Sequence, residues 1–397
     1  MGSNPTLSAT SLIADRLETA GKRAAAANGS PSRDFRRAVD SAFTTPHFGL
    51  NNVGMASANR RPQISIIIPA YNCEATIRKA VSSALGQSIR AIELIVVDDG
   101  SRDRTPQIVK ELARADDRII SIVLRENVGV GAARNAGLAK ASGAWVAVLD
   151  ADDWFRPDRL RTMLAAAEQL DADLVCDNLR LFDHALGYIV GVTQFGSRRR
   201  ATPITMRRIF ELDHALRRHN LGFTKPMVRT AFLKREGITY DPRFRVGEDF
   251  LFLAETLLHG ARAFILPNAD YVYVHRIAPS TRTVAPYSRA GTGFADICGS
   301  CAYLLGKYWR GMSKLERRAL ARKRKSISDW LAYMEMLVAL RNKKFRKAIA
   351  ILKRRPTIPL IKIYTMRNRI LDLMMIRRAR MRRYWMALGR NKGSVSD

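Results

Sequence analysis

The amino-acid sequence predicts an α/β fold in which mostly parallel strands alternate with helices, followed by a helical and strongly basic extension. Two observations support this prediction. From about residue 62, short β-rich apolar runs alternate with amphipathic segments of helical length, which is the pattern of parallel strands joined by crossover helices. After residue 307 the chain is rich in Lys and Arg, and its apolar residues recur every three to four positions, as along an amphipathic helix.

Five apolar runs predict the strands of the sheet. Each run is compact and apolar throughout, which is typical of strands buried on both faces. Helices are expected to begin at Thr105-Pro106 and at Arg156-Pro157, because proline suits the first turn of a helix. The predicted strands are Ile64–Ile68, Glu93–Val97, Ile119–Leu124, Trp145–Leu149 and Asp173–Cys176.

The bulk composition limits the organisation and the partners of the chain. With 397 residues, 47% of them hydrophobic, the chain can bury one full core and part of a second, so one main domain with a large extension is expected. Residues 1–60 are rich in Ala, Ser, Asn and Arg and predict a disordered N-terminal arm. The net charge of +31 predicts a polyanionic partner: nucleic acid, an anionic membrane surface or a phosphate-bearing substrate.

The cysteine content and the hydropathy favour a reducing, cytoplasmic environment. Four cysteines are too few and too scattered for a disulfide framework, and no signal-peptide pattern accompanies them. Cys298 and Cys301 form a C-x-x-C pair without a second pair or a histidine cluster, so two packed helix cysteines are expected rather than a zinc or redox site. No run approaches the roughly 20 apolar residues that span a bilayer.

Aspartates gather at the ends of the predicted strands, where ligands bind in a parallel α/β sheet. The segments concerned are Pro69–Asn72, Asp98–Ser101 and Asp150–Asp153. Carboxylates crowded at one edge are costly unless a cation or hydrogen-bond donors compensate them, and Mg²⁺ and Mn²⁺ favour carboxylate oxygens. The alternative, that they are turn and helix-capping aspartates, suits Asp103 and Asp158 better than this edge.

Five motifs occur in an order and with spacings that agree with the predicted strands and helices. Together they resemble the motifs of the family 2 glycosyltransferases, over about half of the chain. That family has a GT-A fold, a Rossmann-like and mostly parallel sheet with flanking helices. Any one motif would be weak, but five in order form a specific pattern. They are Pro69–Glu74, Glu93–Ser101, Asn127–Asn135, Asp150–Asp153 and Gly247–Asp249.

The resemblance assigns one set of residues to a nucleotide-sugar donor. Tyr71 would pack on the nucleotide base, and Asp99 would accept a hydrogen bond from a uracil N–H group. Asp150 would contact the ribose or the sugar. Asp152 would bind Mg²⁺ or Mn²⁺, which neutralises the departing diphosphate. The residues expected to bind the nucleotide-sugar are Pro69, Tyr71, Glu74, Asp99, Arg134, Asp150 and Arg276.

The expected catalytic residues lie in the second half of the chain. Glu248 and Asp249 open an apolar helix, and because neighbours on a helix point about 100° apart, only one of them is expected to face the sugar. The resemblance favours Asp249 as the general base for an inverting displacement. The alternative is that both residues stabilise the helix N-terminus. His275 is expected to assist the metal ion or the phosphate, and Arg276 to contact the diphosphate.

The resemblance implies transfer of one sugar, from a donor such as UDP-glucose to a lipid-diphosphate-linked glycan, as in bacterial succinoglycan-type exopolysaccharide synthesis. Lipopolysaccharide or capsule synthesis is the alternative. Processive members carry transmembrane helices and a Gln-x-x-Arg-Trp motif, and the sequence shows neither. The basic extension is expected to lie peripherally on an anionic membrane surface, on the cytoplasmic side. The expected parts are a donor half (61–180), an acceptor and base half (181–290) and the extension (291–397).

Three other classes of protein are disfavoured. The run Gly129–Arg134 imitates a dinucleotide fingerprint but lacks the first-strand position, which argues against a dehydrogenase. No nucleic-acid-binding module is found, and the apolar stripe from Ile327 to Val338 suits a membrane interface better, so no nucleic-acid partner is expected. A sugar-binding module without catalysis would not need Asp99, Asp152 and Asp249 together.

Overall fold

The computed structural model describes residues 62–184, 186–212, 221–275 and 292–359, together with isolated helical positions between 361 and 381. The expected N-terminal arm, residues 1–60, lies outside the described residues. Within the described ranges, the architecture is a large mixed sheet with flanking helices, a smaller second sheet and a helical C-terminal region. The predicted α/β fold with a helical extension is confirmed.

The described part of the chain begins with strands and helices that alternate, as the sequence pattern predicted. The strands are β1 (Ile64–Ala70), β2 (Ile92–Asp98), β3 (Ile119–Val123), β4 (Trp145–Val148), β5 (Trp154–Phe155), β6 (Leu174–Cys176), β7 (Leu179–Asp183), β8 (Tyr188–Val192), β9 (Thr202–Pro203), β10 (Met227–Arg229), β11 (Ala263–Ile265) and β12 (Tyr271–His275). The helices are α1 (Ile77–Leu85), α2 (Thr105–Ala115), α3 (Val130–Lys140), α4 (Arg159–Gln169), α5 (Met206–Leu212), α6 (Thr230–Glu236), α7 (Glu248–Leu258), α8 (Thr292–Tyr308), α9 (Lys314–Arg341) and α10 (Phe345–Arg354), with a 3-10 turn at Leu221–Phe223.

The large sheet has the strand order β3-β2-β1-β4-β10-β6-β11-β9. Its first four strands are parallel, and β1 is buried along its whole length, as predicted for a strand covered on both faces. The register pairs Ala70 of β1 with Asp98 of β2, and Ile67 of β1 with Val148 of β4. The carboxyl ends of these three strands therefore lie at one edge, which brings the predicted aspartate segments together.

The predicted element boundaries are mostly confirmed. The five predicted strands lie within two residues of their observed ends, and α2 begins at Thr105. The prediction for α4 was wrong, because this helix begins at Arg159 and not at Arg156-Pro157. Residues 156–158 form a turn instead, since the carbonyl of Arg156 accepts from Gln87 Nε2 at 2.7 Å and that of Pro157 accepts from Ser88 N at 2.8 Å.

A second sheet has the strand order β5-β12-β7-β8. Strand β12 pairs in parallel with β7 and antiparallel with β5. Strand β12 and its partners are not among the five strands that the apolar runs predicted. Its partner strands are two to five residues long and show no sustained alternation, so periodicity could not reveal them.

The C-terminal region is helical, as predicted. Helix α9 starts with a capping box, in which Ser313 Oγ accepts from Glu316 N at 3.3 Å and Glu316 Oε2 accepts from Ser313 N at 2.8 Å. Cys301 of α8 and Leu320 of α9 are buried in a core shared with the second half of the chain, and Cys298 and Cys301 are not disulfide-bonded. Among the described residues, no helix has the length and apolar character needed to cross a bilayer.

Helix α3 packs tightly on β1 at Gly137, where an added Cβ atom would lie 2.5 Å from Ile67 Cγ2. We expect Gly137→Ala to lower the free energy of unfolding by about 1–3 kcal/mol, because overpacking outweighs the gain in helix propensity. The control is Gly306→Ala on α8, where nothing lies within 4 Å and the free energy of unfolding should rise by up to about 1 kcal/mol. Urea denaturation measures both changes, and an unchanged stability for Gly137→Ala would contradict the tight packing.

Candidate active site

A cleft of about 140 Å³ opens at the carboxyl ends of β1 and β2. Pockets that enclose a whole small ligand are typically roughly 300–1,000 Å³, so this cleft matches one part of a ligand, such as a base. Three residues expected to bind a donor, Pro69, Tyr71 and Asp99, line the cleft. The other lining residues are Ala70, Asn127, Gly129, Val130, Ala133 and Arg245.

Asp99 shapes the wall of the cleft as well as lining it. Its buried carboxylate accepts hydrogen bonds from Val128 N at 2.8 Å, Gly129 N at 2.9 Å and Asn127 Nδ2 at 3.0 Å. Burial raises the pKa of Asp99, while these backbone donors and the charge of Arg245 oppose the rise. The sequence analysis missed Arg245, which follows no strand and belongs to none of the five motifs.

Glu74, one of the residues expected to bind the nucleotide-sugar, takes part in hydrogen bonds with the segment before α2. Its carboxylate accepts from Arg104 N at 3.0 Å, and Glu74 N donates to Asp103 Oδ2 at 3.1 Å. Arg104 immediately precedes α2, so these bonds fix the start of that helix against the segment after β1. Glu74 is exposed and does not line the cleft within the part of the chain that the structure describes.

Beside the cleft, two buried cations and three carboxylates form a connected cluster. Arg134 Nη2 donates to Asp150 Oδ1 at 2.8 Å, and Arg134 Nη1 donates to Asp249 Oδ1 at 2.5 Å and to Glu248 Oε1 at 3.0 Å. Lys225 Nζ lies 2.9 Å from Asp150 Oδ2 and also contacts Asp249 Oδ2. Arg134, Asp150, Lys225 and Asp249 therefore close a ring of ion pairs, to which Glu248 is joined through Arg134.

Burial makes the charges of this cluster depend on one another, since Arg134 and Lys225 are only 1% and 4% exposed. Burial alone would raise the pKa of Asp150, but Lys225 and Arg134 outweigh it and hold that pKa well below its usual value. Burial alone would lower the pKa of Lys225, but Asp150 and Asp249 raise it well above its usual value. Burial and the adjacent Asp249 raise the pKa of Glu248 to about 6.

Aromatic rings hold Arg134 in place. The Arg134 Cζ atom lies 5.0 Å from the centroid of the Tyr240 ring, and that ring stacks on Phe252 of α7 with centroids 4.3 Å apart. The side chain of Asn135 exchanges two hydrogen bonds with the backbone of Tyr240, at 2.7 and 2.8 Å. These contacts fix the guanidinium between α3 and α7, facing the carboxylates.

Lys225 is a second residue that the sequence analysis missed. It precedes β10, which lies antiparallel between β4 and β6, and the pairing of Met227 with Ala147 brings Lys225 level with the end of β4. Arg159 Nη2 donates to Lys225 O at 2.7 Å, and Arg159 pairs with the buried Asp177 at 2.8 Å. Lysine is rarely buried unless it is paired, but its partners are distant in the chain, so the local sequence gives no signal.

The second sheet supports the turn after β4. The hydroxyl of Tyr271 donates to Asp153 Oδ2 at 2.7 Å, and its oxygen accepts from Asp150 N at 3.1 Å. Val274 N donates to Asp153 Oδ1 at 2.7 Å. Burial, together with Asp152 and Asp150, raises the pKa of Asp153 well above its usual value. Asp153 therefore holds the turn in place, whereas Asp152 is exposed.

The described residues contain no group of three Asp, Glu, His or Cys side chains that could by themselves hold a metal ion. Mg²⁺ does not require one, because it usually keeps several waters and binds through one or two carboxylates plus substrate phosphates. Asp152 carries an exposed carboxylate in the turn after β4, which fits that role, and both oxygens of Asp150 contact Arg134 and Lys225. His275 is the last residue of β12, but its side chain lies outside the described part of the chain, as does Arg276.

Arg134 is expected to be essential for the stability of the cluster. We expect Arg134→Met to lower the free energy of unfolding by about 3–5 kcal/mol, because three buried carboxylates would then share the single charge of Lys225. Arg78→Met is the control, since the ion pair of Arg78 with Glu111 is exposed and worth less than about 1 kcal/mol. Urea denaturation measures both changes. Equal effects of the two substitutions would mean that Arg134 does not hold the cluster together.

Comparison with known proteins finds a matching family model and several similar proteins. Residues 65–232 match the model of Glycosyl transferase family 2. The chain is 38% identical over 213 residues to the succinoglycan biosynthesis protein ExoO of Rhizobium meliloti (strain 1021), which covers 53% of this chain and 60% of that protein. It is 34% identical over 233 residues to ExoU, a succinoglycan biosynthesis protein of the same strain, which covers 56% of this chain and 65% of that protein. In both cases the chain matches less than two thirds of the relative's own length.

A solved structure shares the fold. The crystal structure of S. aureus TarS 1-349 in complex with UDP-GlcNAc has a TM-score of 0.55, covers 80% of this chain and 92% of that chain, and is 22% identical in sequence. At this identity the likeness concerns the fold alone. The residues that match the family model include most of the cleft together with Arg134, Asp150 and Lys225. Residues 65–232, less than half of the chain, are therefore similar to glycosyl transferase family 2.

Proposed function

We propose that the protein is an inverting, metal-dependent glycosyltransferase that moves one sugar from a UDP-linked donor, such as UDP-glucose, to a lipid-diphosphate-linked glycan. The observation that carries the proposal is the position of α3. Val130 and Ala133 of this helix line the cleft, and the next residue, Arg134, holds Asp150 and Asp249. A base bound in the cleft would therefore lie within about one helical turn of a cluster suited to act on the sugar.

The cleft supports a nucleotide base as its ligand. Tyr71 supplies an aromatic ring at the end of β1 for packing against a base. The Asp99 carboxylate has about four acceptor positions, of which the donors from residues 127–129 use three, so it can accept from one further N–H group. TarS, which shares the fold, was solved with UDP-GlcNAc, so uridine nucleotides are the first donors to test.

Asp249 is the proposed general base. Both of its oxygens contact cations, Oδ1 with Arg134 and Oδ2 with Lys225. Each oxygen has two lone pairs, so Asp249 can still accept the proton of an acceptor hydroxyl. Arg134 and Lys225 act as positioning residues, because they fix the orientation that proton transfer requires. Glu248 bonds to the same nitrogen of Arg134 and has the supporting role in this pair.

Departure of the diphosphate is the second chemical requirement. When bound at Asp152, Mg²⁺ or Mn²⁺ would neutralise the charge that develops on the leaving group. Asp153 and the hydroxyl of Tyr271 keep the turn that carries Asp152 fixed. His275 and Arg276, at and after the end of β12, are proposed to assist at the metal ion and the diphosphate. Attack from the side opposite the leaving group inverts the configuration of the sugar.

The two halves of the domain would supply different parts of this site. Residues 61–180 contribute Arg134 and Asp150, in keeping with a donor half. Residues 181–290 contribute Lys225, Glu248 and Asp249, in keeping with an acceptor and base half. The ring of ion pairs would join the two halves at the point where donor and acceptor meet.

The relatives support a role in exopolysaccharide synthesis, since ExoO and ExoU are both succinoglycan biosynthesis proteins. A lipid-linked acceptor would place the protein at the cytoplasmic face of the cell membrane, bound peripherally through residues 291–397 to anionic lipid. Another surface glycan, such as lipopolysaccharide or capsule, would use the same chemistry. Nucleic acid is not expected as a partner.

The test of the activity is the release of nucleoside diphosphate from UDP-, GDP- and dTDP-sugars, in the presence of extracted lipid-linked acceptor. We expect turnover with a UDP-sugar. Asp249→Asn should lower kcat by a factor on the order of 10² or more with donor binding little changed, because a general base acts in the transition state. Glu248→Gln is the matched control and should cost less. A larger loss for Glu248→Gln, or full turnover of Asp249→Asn, would move the base elsewhere.

The test of the metal ion concerns Asp152. We expect Asp152→Ala to abolish transfer while the fold is retained, because the leaving diphosphate would lose its counter-ion. Asp158→Ala is the control, since that carboxylate is exposed in the turn before α4 and should not affect transfer. Calorimetry should also show that Mn²⁺ strengthens UDP binding to the unchanged protein but not to Asp152→Ala. Transfer that survives both this substitution and excess chelator would show that the metal assignment is wrong.

A further inference from the structure

Helix α10 exposes a row of large apolar side chains. Phe345, Ile349 and Leu352 are 59%, 55% and 40% exposed. Their spacing of four and then three residues puts them on one face of the helix, because each residue turns the helix by about 100°. Ala348 is the one buried residue of α10. An exposed apolar face of this kind marks an interaction surface.

Similar exposure continues beyond α10. Five apolar residues at described helical positions between 361 and 381 are exposed, and each is separated from the next by three, four or seven residues. These intervals keep side chains on one face of a helix. The five are Ile363, Met366, Ile370, Met374 and Met381. We refer to them, together with the three residues of α10, as the apolar row.

Contacts with α9 and the burial along α10 show which side of this helix faces outward. Lys347, on the side opposite Phe345, pairs with Glu335 of α9 at 2.9 Å. Just after the helix, Arg355 Nη1 donates to Asp329 Oδ1 at 2.8 Å, and the Thr357 hydroxyl donates to Asp329 Oδ2 at 2.9 Å. Helix α10 is therefore held against α9 with Ala348 and the partly buried Ile351 turned inward, and the three large apolar side chains of the neighbouring face are left exposed.

The surface around the apolar row is strongly positive. The acidic residues that contact α10 and the segment after it are already engaged in ion pairs, Glu335 with Lys347 and Asp329 with Lys325 and Arg355. Positions 343 to 355 hold seven Lys or Arg and no Asp or Glu. Positions 362 to 383 hold eight Lys or Arg and one acidic residue, Asp372. A partner for this surface must therefore carry negative charge as well as an apolar phase.

We propose that the apolar row enters the surface of an anionic lipid bilayer while the surrounding Lys and Arg side chains bind the lipid headgroups. A helix with large apolar residues on one face and basic residues on the other binds at a membrane interface in this way. Nucleic acid would engage the basic residues but leave the apolar row in water. A second copy of the chain would bring two positive surfaces together, because a symmetric dimer pairs the same patch of both copies.

This surface lies further along the chain than the sequence analysis predicted. Of the predicted stripe, Ile327 is buried in the core, and Trp330 and Leu331 are partly buried. Its last part, at Met334, Leu337 and Val338, is exposed. The first part of the stripe therefore packs on the domain, and the exposed apolar surface begins at Met334 and continues at α10 and beyond. The inference rests on the proposed function, because it names the surface through which the protein would bind the membrane.

The test is cosedimentation of the full-length protein with vesicles, either phosphatidylcholine alone or phosphatidylcholine with phosphatidylglycerol. We expect binding to the anionic vesicles, weak binding to the neutral ones, and release as salt screens the attraction. The triple variant Phe345→Ser, Ile349→Ser, Leu352→Ser should bind anionic vesicles at least ten-fold more weakly. The matched control is Val123→Ser, Ile189→Ser, Val192→Ser, which replaces three exposed apolar residues on β3 and β8 and should bind normally.

A second variant tests the contribution of the basic side chains separately from that of the apolar row. Arg346→Gln with Lys353→Gln leaves the row intact and should weaken binding to anionic vesicles without changing the weak binding to neutral ones. Circular dichroism checks that each variant is folded. Release of nucleoside diphosphate from a soluble donor tests the enzyme separately, and it should be the same in all of these variants, so failure of the two proposals can be distinguished.

Four results would overturn the proposal. The unchanged protein could fail to bind anionic vesicles at low salt, or the control variant could lose as much binding as the α10 variant. Duplex DNA could displace the protein from vesicles at stoichiometric amounts. Sedimentation velocity could reveal a dimer that the α10 variant dissociates, which would make the apolar row an interface between two copies.

Discussion

The buried guanidinium of Arg134 is the group on which the rest of the site depends. An arginine side chain does not lose its charge in a protein, so its burial requires carboxylates brought to it from elsewhere. Asp150 comes from the end of β4, and Glu248 and Asp249 come from the start of α7. The close packing of α3 on β1 and the Tyr240 ring behind the guanidinium both serve to hold this one contact. The same helix forms a wall of the cleft, so the electrostatics of the cluster and the shape of the cleft cannot change independently.

The parallel half of the sheet could be predicted because its strands are apolar along their whole length and helices separate them. The location of Asp99 and Asp150 could be predicted for a related reason, since parallel strands end at the same edge. The partners of these residues could not be predicted. Arg134 was expected on the nucleotide side, and its guanidinium contacts carboxylates from two other elements, Asp150 after β4 and Asp249 in the first turn of α7. Which carboxylates contact Arg134 depends on tertiary packing, and the local sequence does not reveal this packing.

Buried charges and short strands explain most of what the sequence analysis missed. Lys225, Arg159 and Asp177 have the residue types of a solvated surface, yet all three are buried and paired with one another or with the cluster. Hydropathy cannot distinguish the two cases, because it scores residue type and not partners. The strand that aligns Lys225 has only three residues, Met227–Arg229, which is too short for any period to be read from it. The antiparallel position of this strand, between β4 and β6, could therefore not be predicted from the periodicity of the sequence.

This short strand limits how the chain can vary in length. Side chains alternate between the two faces of a strand, so one residue inserted between Lys225 and Met227 would turn the lysine away from Asp150 and Asp249. The turn at Gly187, between β7 and β8, has open space around it and no such constraint. Insertions, fused tags and reporter sequences should therefore be tolerated at that turn. The segment from Lys225 to Arg229, in contrast, must stay five residues long, because its length sets the position of the lysine.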